Sequence, residues 1–309
     1  MLKRTVTRPF KLFGTDGEPL SVTDIRQSDQ DAVINFTYAD PSHNWFQKAI
    51  IYTIEGLTGQ PRLKRLYLDY QKENRPHSEF FAAAIERLEI TVDYDHDKLK
   101  GLPAEGPLVV VANHPFGVVD GLMIGWLTSQ VRPDFKILTN AVLCQAPELQ
   151  HCLLPVDFSG TPEALAINLE TRKAARQLLK DGGTVVVFPA GAVANAPTLL
   201  ARHAVDWDWQ PFTSHLIRQG RASVAPLFFH GQNSRAFQIA SNLSPVLRLG
   251  LLFNEVRRLM GKTMKVSIGT PIPFEALQAY ENRKDLARFL QEETYAVGRQ
   301  EHLLGEKPL

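Results

Sequence analysis

The run Val109-Val110-Val111-Ala112-Asn113-His114-Pro115-Phe116-Gly117-Val118-Val119-Asp120-Gly121 decides the fold. From residue 108 to 112 every position is apolar, with no polar alternation. That is the pattern of a strand covered on both faces, as in a parallel sheet flanked by helices. The strand then delivers a histidine and, after a Pro/Gly turn, an aspartate. The turn lets the chain double back, so the two side chains can meet. A histidine held by a carboxylate is a positioned general base, and its reference pKa of about 6.5 suits neutral pH. No serine or cysteine shares the loop, so this base is expected to activate a hydroxyl or amine carried by a substrate. Two structural readings stand beside that one. Asp120 precedes Leu122-Met123-Ile124-Gly125-Trp126-Leu127 and is placed to cap a helix, and His114 at a strand end can be a satisfied core residue.

Working outward, short apolar runs recur at 108–112, 135–138, 153–156, 184–188, 224–229 and 264–268. Helical patterns lie between them at 122–129, 141–151, 162–180, 211–219 and 246–260, and Gly182-Gly183 is a stop signal for the third. Doubly apolar strands alternating with helices predict an α/β fold, a mainly parallel sheet flanked by helices. Sites in such sheets form where strand ends feed loops. Three strand ends carry candidates: His114; Phe188-Pro189-Ala190-Gly191-Ala192; and Pro226 through Ser234. They are expected to converge on one cleft.

Upstream, residues 1–42 are polar and irregular and read as a loosely ordered arm, with Lys3, Arg4, Arg8, Lys11, Phe10 and Phe13 as a weak lipid-binding set. Residues 43–104 read as a helical subdomain, either packed on the sheet or presenting Trp45, Phe46 and basic residues to anionic lipid. Residues 105–309 form the α/β domain. The 309 residues carry a formal charge of +1, which gives no electrostatic drive toward nucleic acid. The two cysteines, Cys144 and Cys152, provide no disulfide framework and point to a reducing compartment. With His151 they are conceivable metal ligands, but no fourth ligand is evident and no metal site is expected. No apolar segment follows Met1-Leu2-Lys3-Arg4 as in a signal peptide, and none reaches the roughly 18 apolar residues of a membrane span. A cytoplasmic protein, peripheral to the inner face of the cytoplasmic membrane, is expected.

These blocks resemble the glycerolipid acyltransferase superfamily, which includes the lysophosphatidic acid acyltransferases. Asn113, His114 and Asp120 match its first block, Phe188-Pro189-Ala190-Gly191-Ala192-Val193 its third in part, and Ala225-Pro226-Leu227 its fourth. The closest likeness is to a bacterial hemolysin-like branch that includes lyso-ornithine lipid O-acyltransferases, and it runs over nearly everything from Gly56 onward. Leu154-Pro155-Val156-Asp157 and Phe229-His230-Gly231-Gln232-Asn233-Ser234 belong to it.

The resemblance implies transfer of a fatty acyl group from a thioester of acyl carrier protein or coenzyme A to a lyso-lipid hydroxyl, without a cofactor. His114 is the implied base and Asp120 its orienter. Asn113 is expected to orient the His loop, Phe116 to shape the acyl entrance, and amides near Gly191 to hold the oxyanion. Gly117, Phe188, Pro189, Ala190 and Pro226 are further candidates for the substrate site, with His230, Gln232, Asn233 and Arg235 for the head group. Asp157 matches the second block, with helix capping as its structural alternative, and Trp207 and Trp209 read as either an interfacial or a core pair. The third block departs from the familiar pattern: Ala190 stands for its Glu and Val193 for its Arg. A phosphate dianion buried without such a cation is costly. The departure favours an acceptor with an amino-acid or other phosphate-free head group over lysophosphatidic acid. A thioesterase, a membrane-active cytolysin and a catalytically inactive lipid-binding protein remain as alternatives. No Gly-x-Ser-x-Gly elbow is present to support a serine esterase.

Overall fold

A computed structural model describes Thr37, Ala39 and residues 44–305, apart from 141–145, 158–159 and 200. The basic arm, Cys144 and part of the expected 141–151 helix lie outside the described residues. Of that helix, only a single 3-10 turn at Pro147–Leu149 falls within them.

The chain begins with α1 (Trp45–Thr58), opened by a reciprocal Asn44/Gln47 capping box, then α2 (Gln60–Gln71) and α3 (Phe80–Arg87). It continues through β1 (Thr91–Tyr94), α4 (His96–Lys100), β2 (Leu108–Ala112), α5 (Val118–Ser129), β3 (Phe135–Asn140) and β4 (Leu153–Val156). The second half runs α6 (Pro162–Lys180), β5 (Thr184–Val187), α7 (Pro211–Gly220), β6 (Ser223–Phe229), α8 (Arg235–Leu243), α9 (Pro245–Leu259), β7 (Thr263–Ile268), α10 (Phe274–Leu277) and α11 (Arg283–Gly305).

The seven strands form one sheet in the order β1-β7-β6-β2-β5-β3-β4. Every neighbouring pair is parallel except β6 and β7. The mainly parallel sheet expected from the sequence is therefore present. β2 pairs with both β5 and β6, so the loops leaving these three central strands emerge side by side.

Alternate residues of each central strand feed two separate cores. Val110, Ala112, Ala225, Leu227 and Phe229 pack with Phe81 and Ile85 of α3, Met123, Ile124 and Leu127 of α5, and Phe253 and Val256 of α9. Val109, Val111, Val185, Val187 and Val224 pack with Ala175 and Leu179 of α6, Leu216 and Ile217 of α7, and Leu286 and Leu290 of α11. Burial on both faces explains why these strands lack polar alternation.

The structure adds elements beyond those read from the sequence. The stretch 91–94, inside the segment expected to be helical, is an edge strand paired parallel with β7. α8 and α11 have no counterpart in the sequence reading, and α5 begins at Val118 rather than near residue 122. No helix among the described residues is long and apolar enough to cross a membrane.

Candidate active site

β2 ends at Ala112, and the next two residues are fixed in different ways. Asn113 is buried, and its side chain donates Nδ2–H to the Phe229 carbonyl at 3.0 Å and accepts the Phe229 N–H at 2.7 Å. This two-point clamp ties the end of β2 to the end of β6. His114 is held through its backbone: its carbonyl accepts the Ala194 N–H at 2.8 Å, and its N–H donates to Asp206 Oδ1 at 3.1 Å. The ring lies on Phe188 with centroids 4.1 Å apart at 26°.

The chain then doubles back. Gly117 takes φ +80°, a left-handed conformation that favours glycine, and α5 starts immediately after it. Asp120 falls in the first helical turn, so it is not the N-cap residue; its Oδ2 instead accepts the N–H groups of Phe116 at 2.8 Å and Gly117 at 2.9 Å. The same oxygen lies 3.0 Å from His114 Nδ1, although the ring N–H is not well aligned upon it. Asp120 is fully buried, and burial pushes its carboxyl upward; His114 and the two amides oppose that shift. His114 keeps 18% of its side chain exposed with Nδ1 shielded, which leaves Nε2 as the nitrogen available to a reactant. The pair expected from the sequence is therefore assembled as an oriented imidazole.

The third block lies beside it, following β5. Gly191 takes φ +70° and donates its N–H to the Phe188 carbonyl at 3.0 Å. That amide, expected to face an oxyanion, closes a turn instead, while the Ala192 amide has no partner among the described residues. Ala190 is buried, and the Pro189 carbonyl accepts the Gln210 N–H at 3.0 Å. In the fourth block, Pro226 sits within β6 opposite Val111, not at the strand end. Phe116 is buried against Gly231, whose φ is +108°.

The polar residues that follow β6 divide. Gln232 accepts the Ala204 N–H and donates to the Arg202 carbonyl, both at 2.8 Å. Arg235 donates to the carbonyls of Leu199 and Ala201. Both side chains are thus committed to holding the adjoining loop. His230 Nε2 lies 2.6 Å from Ser267 Oγ. Asn233 differs: it is 2% exposed, with neither side-chain amide atom partnered among the described residues.

The model of a family described as acyltransferase matches residues 66–301. The chain belongs to that acyltransferase family. It is 23% identical to a lyso-glycine lipid O-acyltransferase of Phocaeicola vulgatus over 84% of this chain and 92% of the relative. It is also 23% identical to a lyso-glycine lipid O-acyltransferase of Bacteroides thetaiotaomicron, over 87% of this chain and 97% of the relative. Among solved structures it is similar to the 1-acyl-sn-glycerophosphate acyltransferase PlsC of Thermotoga maritima, with TM-score 0.48 and 15% identity over 85% of this chain and 91% of that one.

Sequence reasoning missed one carboxylate of the candidate site, Asp206. Asp206 is buried, and besides holding His114 N–H it accepts Trp209 Nε1–H at 3.0 Å; its own N–H donates to the Tyr295 hydroxyl at 3.0 Å. Burial pushes its carboxyl up to about 6, against the lowering effect of the Trp209 and His114 donors. Trp207 and Trp209 therefore part company, the first 60% exposed and the second buried. Asp157 does not cap α6, a role taken by Thr161; its backbone exchanges two hydrogen bonds with the Asn168 side chain. Cys152 donates to the Leu149 carbonyl, and burial pushes its thiol up to about 12. Among the described residues no cluster of three His, Cys, Asp or Glu side chains is placed to hold a metal.

Proposed function

We propose that this acyltransferase moves a fatty acyl group from a thioester of acyl carrier protein or coenzyme A to the hydroxyl of a lyso-lipid with an amino-acid head group. The observation that carries the reading is His114 Nδ1 held 3.0 Å from buried Asp120, with Nε2 left for a reactant. His114 Nε2 takes the acceptor O–H proton as the new O–C bond forms at the thioester carbonyl. Collapse of the tetrahedral adduct breaks the C–S bond, and the imidazolium returns its proton to the leaving thiolate. Asp120 fixes the tautomer and stabilises the imidazolium, as the carboxylate of a Ser-His-Asp triad does, with the substrate hydroxyl replacing the serine. The Ala192 amide is the donor proposed for the oxyanion.

The acceptor assignment is supported by Ala190 and Val193, which supply no charge for a phosphate, and by the names of the two relatives. The reaction is proposed to occur at the inner face of the cytoplasmic membrane, reached peripherally. Trp45 and Phe46 support this, being 80% and 59% exposed at the start of α1 in an edge-to-face pair.

The test is mass spectrometry of the purified protein with acyl carrier protein or coenzyme A thioesters and a panel of lyso-glycine lipid, lyso-ornithine lipid and lysophosphatidic acid. Acylation of an amino-acid lipid, lost by about two to four orders of magnitude in His114→Ala, is the expected result. Acylation of lysophosphatidic acid alone overturns the acceptor assignment. Free fatty acid as the sole product overturns acyl transfer in favour of hydrolysis.

A further inference from the structure

One face of α9 lies across all three loops of the site. Positions 248, 252 and 255 follow the spacing that stacks side chains along a single helix face. Glu255 accepts the Ser234 N–H at 2.8 Å and its hydroxyl at 2.6 Å, which fixes the loop after β6. Leu252 lies against Gly117 in the His loop, where an added Cβ would be 3.4 Å from its Cδ2. Arg248 donates an Nη–H to the Val193 carbonyl at 2.7 Å, in the loop after β5. Val193 stands at the position where the third block usually supplies an arginine, and Ala194 beside it bonds the His114 carbonyl.

Arg248 is unusual in its surroundings. It is part-buried, and desolvation alone lowers its pKa, with no anion to oppose the loss. One carbonyl satisfies one of its N–H groups; no carboxylate pairs with it among the described residues. Asn233, next to the Glu255-bound Ser234, is buried with its whole amide unpartnered among the described residues. Buried polar groups in folded proteins are overwhelmingly partnered, so each of these two side chains keeps hydrogen-bonding capacity that a ligand can meet.

We propose that Arg248 replaces the missing third-block arginine from a different element, and binds the head-group carboxylate of the acceptor. The assignment rests on the acyl-transfer reading above. A single guanidinium matches a singly charged carboxylate in charge and in fork geometry. A phosphate dianion needs further cations, and Arg235 is already committed to the Leu199 and Ala201 carbonyls.

The experiment compares lyso-glycine lipid with its head-group methyl ester, which keeps the reacting hydroxyl and removes the charge. Wild-type protein is expected to show a lower KM for the acid than for the ester. Arg248→Gln is expected to raise KM for the acid by about 10- to 100-fold, the scale of a charge-assisted hydrogen bond. Its KM for the ester is expected to change much less than its KM for the acid, so the preference for the acid collapses, and turnover of the ester reports a folded variant. Arg248→Lys is expected to fall between, keeping the charge and losing the fork. Equal loss on acid and ester shows that Arg248 only braces the Val193 loop and overturns the proposal, as does an unchanged KM for the acid. Wild-type protein that acylates only lysophosphatidic acid overturns the acceptor reading first, and the carboxylate assignment with it.

Discussion

Replacing Asp206 by asparagine tests whether the carboxylate behind His114 is held at the expense of stability. Asp206 accepts two N–H donors yet is buried enough that its carboxyl rises from the ordinary 3.8 to about 6. An acid with a raised folded-state pKa stabilises the fold fully when both states are protonated, below about pH 4. As pH climbs from about 4 to 6 the unfolded chain releases its proton while the folded one keeps it, so stability falls. Above about pH 6 both are ionised and the loss is complete. This is the reverse of the usual aspartate, whose pKa is depressed on folding. The gap between 3.8 and about 6 corresponds to about 3 kcal/mol, at about 1.4 kcal/mol per pH unit. The amide introduced by Asp206→Asn does not titrate, so subtracting that variant's unfolding free energy from the wild-type value isolates the effect. Urea unfolding followed by circular dichroism from pH 4 to 7 should show that difference falling by up to about 3 kcal/mol as pH rises. A difference that is flat or rises with pH refutes the raised pKa and the view of Asp206 as a desolvated anchor.

Two further substitutions separate the site from the scaffold. Asn113→Ala leaves the Phe229 N–H and carbonyl buried without partners, and is expected to cost about 2–5 kcal/mol of stability and to lower kcat by loosening the His loop; an unchanged melting temperature contradicts the clamp. Arg132 is 2% exposed and donates to the carbonyls of Pro103, Gly106 and Gly182, at the strand ends opposite His114. Arg132→Ala should therefore destabilise by about 3–5 kcal/mol while KM for both substrates holds, and a KM change in folded protein contradicts that placement.

What the sequence revealed follows from where each element is buried. The central strands were legible because both faces are covered, which writes an uninterrupted apolar run such as Val109-Val110-Val111. β1 was not: at the sheet edge, Thr91-Val92-Asp93-Tyr94 alternates exposed and half-buried positions and resembles a polar loop. α11 buries Leu286, Leu290 and Thr294 at four-residue spacing among many charges, a stripe that the sequence carries in plain periodicity. In the site, His114 and Asp120 sit six positions apart and announced themselves. Asp206 reaches His114 across 92 positions and Arg248 reaches Val193 across 55, and no local pattern encodes contacts of that separation. The nearest signal for Asp206 was Trp209, three residues on and bonded to it. Gln232 and Arg235 show the opposite case, polar residues beside a site whose side chains serve the loop.

The two faces of α9 tie the proposed lipid surface to the chemistry. Positions 250, 253 and 257 meet the N-terminal helices: a Cβ on Gly250 would lie 3.1 Å from Ile54 Cβ, and one on Gly59 would lie 3.1 Å from the Phe253 carbonyl oxygen and 3.2 Å from Arg257 Cβ. Backbone that close leaves α1 little freedom to slide over α9 without moving it. Positions 248, 252 and 255 carry the other face onto the loops after β5, β2 and β6. On the proposed reading, in which Trp45 and Phe46 meet the membrane, α9 is the helix that connects α1 with the loops around His114. The same helix carries Arg248, the residue proposed above to bind the head group, to the Val193 carbonyl. The glycines at this contact, Gly59 and Gly250, therefore set how closely the N-terminal helices approach α9, and through it the spacing between α1 and the loops around His114.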